Sequence, residues 1–160
     1  MKLNLGCGLK KKQGYVNCDI NKNVNPDKII DLNKFPYNFD EETADEIFSD
    51  NVVEHLWVEL PDFVSEMRRI LKKDGVLEIV TPNCFFWKNR LSFLIGNFRS
   101  KNGWHINHSF LLKPSVMRQY LELNGFDVNF IRPPGVWGRF AWLSENLFLQ
   151  EIHFRARKRN

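Results

Sequence analysis

The sequence predicts a layered α/β domain built on a mostly parallel, doubly wound sheet. Three observations predict it. The chain opens with a short apolar stretch, Leu3-Asn4-Leu5, that runs straight into Gly6-Cys7-Gly8. Strand-like segments of four to seven residues recur at 2–5, 15–19, 28–31, 45–49, 76–80, 126–131 and 151–157. Two helical patterns stand among the later ones, and strands alternating with helices are the signature of a sheet covered by helices.

Each element has its own warrant. Two glycines after a buried strand read as a tight turn, because each tolerates φ > 0 and leaves backbone bare for close approach of a ligand. In a doubly wound sheet that turn lies at the carboxyl ends of the strands, where such folds bind their ligands. The first helix is predicted from Pro61 to Lys72. Leu60, Phe63, Val64, Met67 and Leu71 form its apolar stripe, and Pro61 suits the first turn. Lys72-Lys73-Asp74-Gly75 closes it, with Gly75 expected to take the left-handed stop. The second helix spans about Pro114 to Asn124, with Val116, Met117, Tyr120 and Leu121 inward and Gly125 as its stop.

One connection is too short. Leu9 to Gly14 alone separate the first turn from the second strand. A parallel crossover usually takes a dozen or more residues with a helix in it. That helix is therefore missing or cut to a single turn, and one face of the sheet is thinly covered. The bare face predicts either self-association, as a homodimer, or an open ligand site.

Length and composition bound the rest. The 160 residues make a single domain, 1–160, large enough to bury roughly 70% of its unfolded surface. A formal net charge of +4 is mild, and reads as a solvated basic surface rather than a nucleic-acid footprint. Cys7, Cys18 and Cys84 show no Cys-x-x-Cys spacing, so neither a metal centre nor a disulfide framework is expected. That usage, with no leader-like segment ahead of the first strand, predicts a cytoplasmic setting. The longest apolar stretches, near 91–98 and 140–149, are too interrupted to span a bilayer.

The candidate site gathers at strand ends. A dinucleotide fingerprint would need a third glycine at position 11, where Lys11 stands, and no Gly-Lys-Ser/Thr follows to make a P-loop. Asp19 ends the second strand, where a carboxylate can accept hydrogen bonds from two neighbouring ribose hydroxyls. Further on come Asp31-Leu32-Asn33-Lys34-Phe35-Pro36, then Asp50-Asn51-Val52-Val53-Glu54-His55-Leu56, Ile70 to Gly75, and Thr81-Pro82-Asn83.

With those stretches in that order, residues 2–84 resemble the class I S-adenosylmethionine-dependent methyltransferases, specifically the small type 11 group. The resemblance implies a Rossmann-like fold with an antiparallel last strand, ending here in the basic Phe154 to Arg159. It implies S-adenosyl-L-methionine as cofactor and residues 1–84 as its half. Its cofactor-side positions map onto Asn4, Gly6, Cys7, Gly8, Asp19, Ile20, Asp31, Leu32, Asp50 and Asn51. Asp31 would lie near the adenine amine, Leu32 against the ring, and Asp50 and Asn51 beside the sulfonium end. Two departures stand out: Asn4 replaces an acidic residue, and Lys10 replaces a third glycine. Glu54 and His55 match the family's Glu-His-Leu, with His55 read as a structural histidine.

Residues 85–160 would hold the substrate. The expected activity is methyl transfer to an oxygen or nitrogen of a small-molecule, saccharide or lipid-linked acceptor. Rival readings are an RNA or protein methyltransferase and a catalytically silent scaffold subunit that keeps the fold. His105 and His108 are the candidate catalytic bases, because their connection begins at the cleft rim and an ordinary histidine pKa near 6.5 suits the task. A nucleophilic Cys84 finds no supporting motif nearby.

Overall fold

The computed structural model describes residues 1–96, 113–131, 144–148 and 151–159. Seven strands form one sheet: β1 (Lys2–Leu5), β2 (Val16–Asp19), β3 (Lys28–Ile29), β4 (Ala44–Asp50), β5 (Leu71–Pro82), β6 (Phe126–Ile131) and β7 (Glu151–Lys158). Their order is β3-β2-β1-β4-β5-β7-β6. The first five run parallel, while β7 lies antiparallel to both β5 and β6. The doubly wound sheet with an antiparallel last strand is therefore borne out. The strand order reverses at β1, the place where open α/β sheets leave a crevice.

Helices α1 (Leu60–Ile70) and α3 (Pro114–Leu123) pack on one face of the sheet. Phe63, Val64, Met67 and Ile70 of α1 and Met117 and Leu121 of α3 meet Leu3, Leu5, Ile47, Leu77, Ile79, Ile152 and Phe154 from the strands. Both helices begin with proline in the first turn, where its missing N–H costs nothing. Two shorter helices follow β5 and precede β7, α2 (Trp87–Leu94) and α4 (Glu145–Phe148).

The end of α1 differs from the sequence-based expectation. The helix stops at Ile70, and Leu71 already pairs with Ala44 as the start of β5. Residues 72–75 then bulge out before the ladder resumes at Val76 opposite Glu46. The left-handed residue is Asp74 (φ 59), not Gly75. Gly75 is needed for a different reason: a Cβ there would stand 2.8 Å from the Lys72 carbonyl oxygen. Gly125 does take the left-handed stop after α3, with φ 79.

No helix joins β1 to β2, and a single 3-10 turn, Lys22–Val24, lies between β2 and β3. Buried asparagines do the work of the missing helix. Asn4 Nδ2 donates to the Lys10 carbonyl (3.1 Å) and to Asn17 Oδ1 (2.8 Å). Asn17 Oδ1 also accepts from Lys12 N, and its Nδ2 reaches the carbonyls of Lys12 and Tyr15 and the carboxylate of Asp27. The second face of the sheet is mostly polar where it is described, with Val76, Val80 and Ile29 among its apolar members. Register places Lys2, Asn4, Glu46, Phe48, Glu78 and Arg155 there. Lys2 pairs with Glu46 at 2.9 Å, the Tyr15 hydroxyl donates to Glu46, and the Lys12 ammonium sits 3.4 Å above the Phe48 ring. Among the described residues the cover on this side is thin, and the strands carry mostly polar side chains there.

Candidate functional site

The carboxyl ends of β1 through β5 share one edge, so the residues after them converge. Gly6 turns the chain with φ 65, and Val52 from the β4 side fills the space a Cβ would need, its Cγ2 being 2.3 Å from that point. Gly8, with φ 49, has nothing within 4 Å of the same point. One glycine thus packs loop to loop, and the other leaves backbone bare toward open space. Asp19 closes on this turn: its Oδ2 accepts from Gly8 N at 2.7 Å and its Oδ1 from Asn21 N at 2.8 Å. Beside it the apolar side chain of Ile20 is 60% exposed, a flat surface offered next to a carboxylate.

Asp50 and Asn51 stand at the end of β4. Asn51 adopts φ 55, donates its N–H to the Val80 carbonyl (2.9 Å) and its Nδ2 to Asp50 Oδ1 (2.6 Å). Asp50 Oδ2 accepts from Lys10 Nζ at 3.0 Å, and this hydrogen bond holds the Lys10 ammonium above its ordinary pKa. Asp31 lies two residues past β3. Its carboxyl is lowered by the Asn33 N–H and then by Lys34.

Not every expected site residue faces the crevice. Asn4 is 2% exposed, with its amide spent on the loop network. Leu32 is buried in the core cluster, and its carbonyl accepts from the Tyr37 hydroxyl at 2.8 Å. Cys7 is buried with its backbone bonded to Cys18 and Lys10, and burial raises its thiol. Cys84 is buried too, its thiol pushed up to about 11, which removes it as a nucleophile near neutral pH. His105 and His108 lie outside the described residues. So do the aromatic and basic residues 97–112 around them.

Two further features lie near this edge, and of them only Trp57 carries no sequence signal. Trp57 is 82% exposed, and its N–H donates to Asn33 Oδ1 at 2.7 Å beside Asp31. A lone tryptophan has no periodicity to flag it. Glu54 is 2% exposed in the turn Val53–His55. Its Oε2 accepts from Thr81 Oγ1 at 3.2 Å, while Oε1 has no hydrogen-bond partner. Burial pushes this carboxyl up, outweighing its own backbone N–H, the field of His55 and the Thr81 hydrogen bond. Among the described residues no cluster of His, Cys, Asp and Glu could hold a metal ion, and no helix is long and apolar enough to cross a membrane.

Strand order and the glycine turn define the class: this is the class I methyltransferase fold. Residues 8–79 match the family model described as "Methyltransferase domain", so the resemblance read from the motifs stands. A protein from Mycolicibacterium smegmatis, named a probable S-adenosylmethionine-dependent methyltransferase, is 33% identical over 86 residues. That match takes in 54% of this chain and 30% of the relative's length. A SAM-dependent methyltransferase structure from Archaeoglobus fulgidus superposes with a TM-score of 0.71 at 20% identity, covering 98% of this chain and 85% of that one. The CurJ carbon methyltransferase gives 0.67 at 16% identity, over 99% of this chain and 48% of that one. At such identities the two structures speak for the fold alone.

Proposed function

We propose that this protein is an S-adenosylmethionine-dependent methyltransferase acting on an oxygen or nitrogen of a small-molecule, saccharide or lipid-linked acceptor. The observation that carries the cofactor half of this reading is the Gly6–Gly8 turn with Asp19 bonded to it. It pairs a bare backbone surface at Gly8 with a carboxylate and the exposed Ile20. Those groups fit a nucleoside: Asp19 for the ribose hydroxyls and Ile20 for one face of the base, with Asp31 one strand over. The cofactor's sulfonium is already an activated electrophile, so the protein's main task is to hold the acceptor in line with it. His105 or His108 serves as the base where the acceptor must lose a proton.

Calorimetry with S-adenosylmethionine and S-adenosylhomocysteine tests the reading. Wild type should bind both, and Asp19→Ala should weaken binding at least about tenfold, since a hydrogen bond to a charged group is worth about 1.5–3 kcal/mol. Asp19→Ala must keep the wild-type far-UV spectrum for that result to count. No heat with either ligand, alongside binding of NAD, would overturn it. A silent, partner-borne subunit is favoured by one observation, the loss of Asn4 from the crevice to the loop network. Cofactor binding without methyl transfer from labelled cofactor into any lysate fraction would support that second reading.

A further inference from the structure

We propose that Lys10 and Asp50 together form the recognition pair for the amino-acid end of the cofactor, Lys10 taking its α-carboxylate and Asp50 its α-ammonium. This rests on the cofactor reading above and deepens it. S-adenosylmethionine ends in a zwitterion, and a zwitterion is matched by one fixed cation and one fixed anion a few ångströms apart. Lys10 Nζ and Asp50 Oδ2 are 3.0 Å apart, Lys10 coming from the loop after β1 and Asp50 from the last position of the neighbouring strand β4. Their bond links the loop that follows the Gly6–Gly8 turn to the strand beside β1.

The surroundings fix this pair in place while leaving its contact easy to exchange. Lys10 is clamped through its backbone: its N–H donates to the Cys7 carbonyl at 2.8 Å and its carbonyl accepts from Asn4 at 3.1 Å. Asp50 is steadied by Asn51 Nδ2 at 2.6 Å. The Lys10 side chain is 77% exposed, however, and an ion pair so open to water adds little by itself. A ligand carrying both charges can replace one exposed contact with two charge-assisted ones. The two departures from the family pattern then explain each other. The acid absent at Asn4 reappears at the end of β4, and Asn4 has become the anchor that aims Lys10. Glu151 at the start of β7 is a second carboxylate in the field of Lys10.

The test is calorimetry on the whole chain with three ligands: S-adenosylhomocysteine, its decarboxylated analogue, and 5′-methylthioadenosine, which lacks both charges. Wild type should prefer S-adenosylhomocysteine to the decarboxylated analogue by about 10–100-fold, the scale of one hydrogen bond to a charged group. Lys10→Met should erase most of that preference and leave 5′-methylthioadenosine binding unchanged. Asp50→Asn should weaken both ammonium-bearing ligands and spare 5′-methylthioadenosine. Equal preferences in Lys10→Met and wild type would overturn the pair alone. So would a uniform loss for all three ligands, which marks a structural role. Wild type that binds none of the three overturns the cofactor reading with it.

Discussion

Glu54 shows how a single residue can be placed against its own chemistry. A carboxyl 2% exposed with one oxygen unpartnered is an expensive group to ionise, and burial raises its pKa. In the folded protein it therefore holds its proton to a higher pH than in the unfolded chain, whose value is near 4.5. Between those two values the native state binds more protons, so stability falls as pH rises through that window and stays lower above it. Glu54→Gln keeps an oxygen for the Thr81 hydroxyl and removes the charge. Its Tm at pH 7.5 should exceed wild type, by about 2–4 °C for each kcal/mol recovered in a chain of this size. At pH 4 the difference should shrink. A scanning-calorimetry series from pH 4 to 8 with an unchanged or lower Tm at the upper end would refute this.

At the scale of elements, the β1–β2 connection replaces packing with hydrogen bonding. A crossover helix would cover strands with apolar side chains; here ten residues are held by Asn4, Asn17 and Asp27 instead. Networks of this kind fail as a unit, because removing one member strands the buried groups it satisfied. Asn17→Ala leaves the Asn4 amide and the Lys12 N–H short of a partner. It should cost about 1–3 kcal/mol for each stranded buried group. Hydrogen exchange should show the loop 6–15 opening well before β4 and β5. Exchange that stays uniform across the sheet would show the loop to be held by something else. The same change should loosen Lys10 and so lower affinity for S-adenosylhomocysteine, although Asn17 itself faces no ligand.

For the molecule as a whole, the question is what covers a sheet with its early helices stripped away. The described second face answers part of it with Lys2–Glu46 and Arg155–Glu78 ion pairs and the Tyr15 hydroxyl. Among the described residues, Leu91, Leu94 and Ile95 cluster as exposed apolar side chains along α2 and at its end. A self-association contact is therefore expected through α2 rather than through the bare strands. Light scattering at micromolar concentration should give a mass above 19.0 kDa, and Leu94→Glu should return it to that value. A clean 19.0 kDa species for wild type would remove α2 as an interface between copies.

The sequence by itself determined the sheet, its strands and its principal helices. Alternating short apolar runs, the proline starts at Pro61 and Pro114 and the stop at Gly125 are local signals, and local sterics decide them. It also marked the candidate ligand edge, because Gly6 and Gly8 need backbone conformations that few other residues adopt and Asp19 follows at strand spacing. The tertiary structure alone decided which side chains face the crevice. Asn4 and Leu32 sit at expected positions yet turn inward, since strand alternation and the loop that replaces a helix direct them there. The Lys10–Asp50 contact joins residues 40 apart in the chain, and no spacing rule reaches that far. The stop of α1 moved back to Ile70 for the same reason: pairing of Leu71 with Ala44, a contact across the sheet, overrode the local preference for a glycine cap and left the left-handed residue at Asp74 within β5.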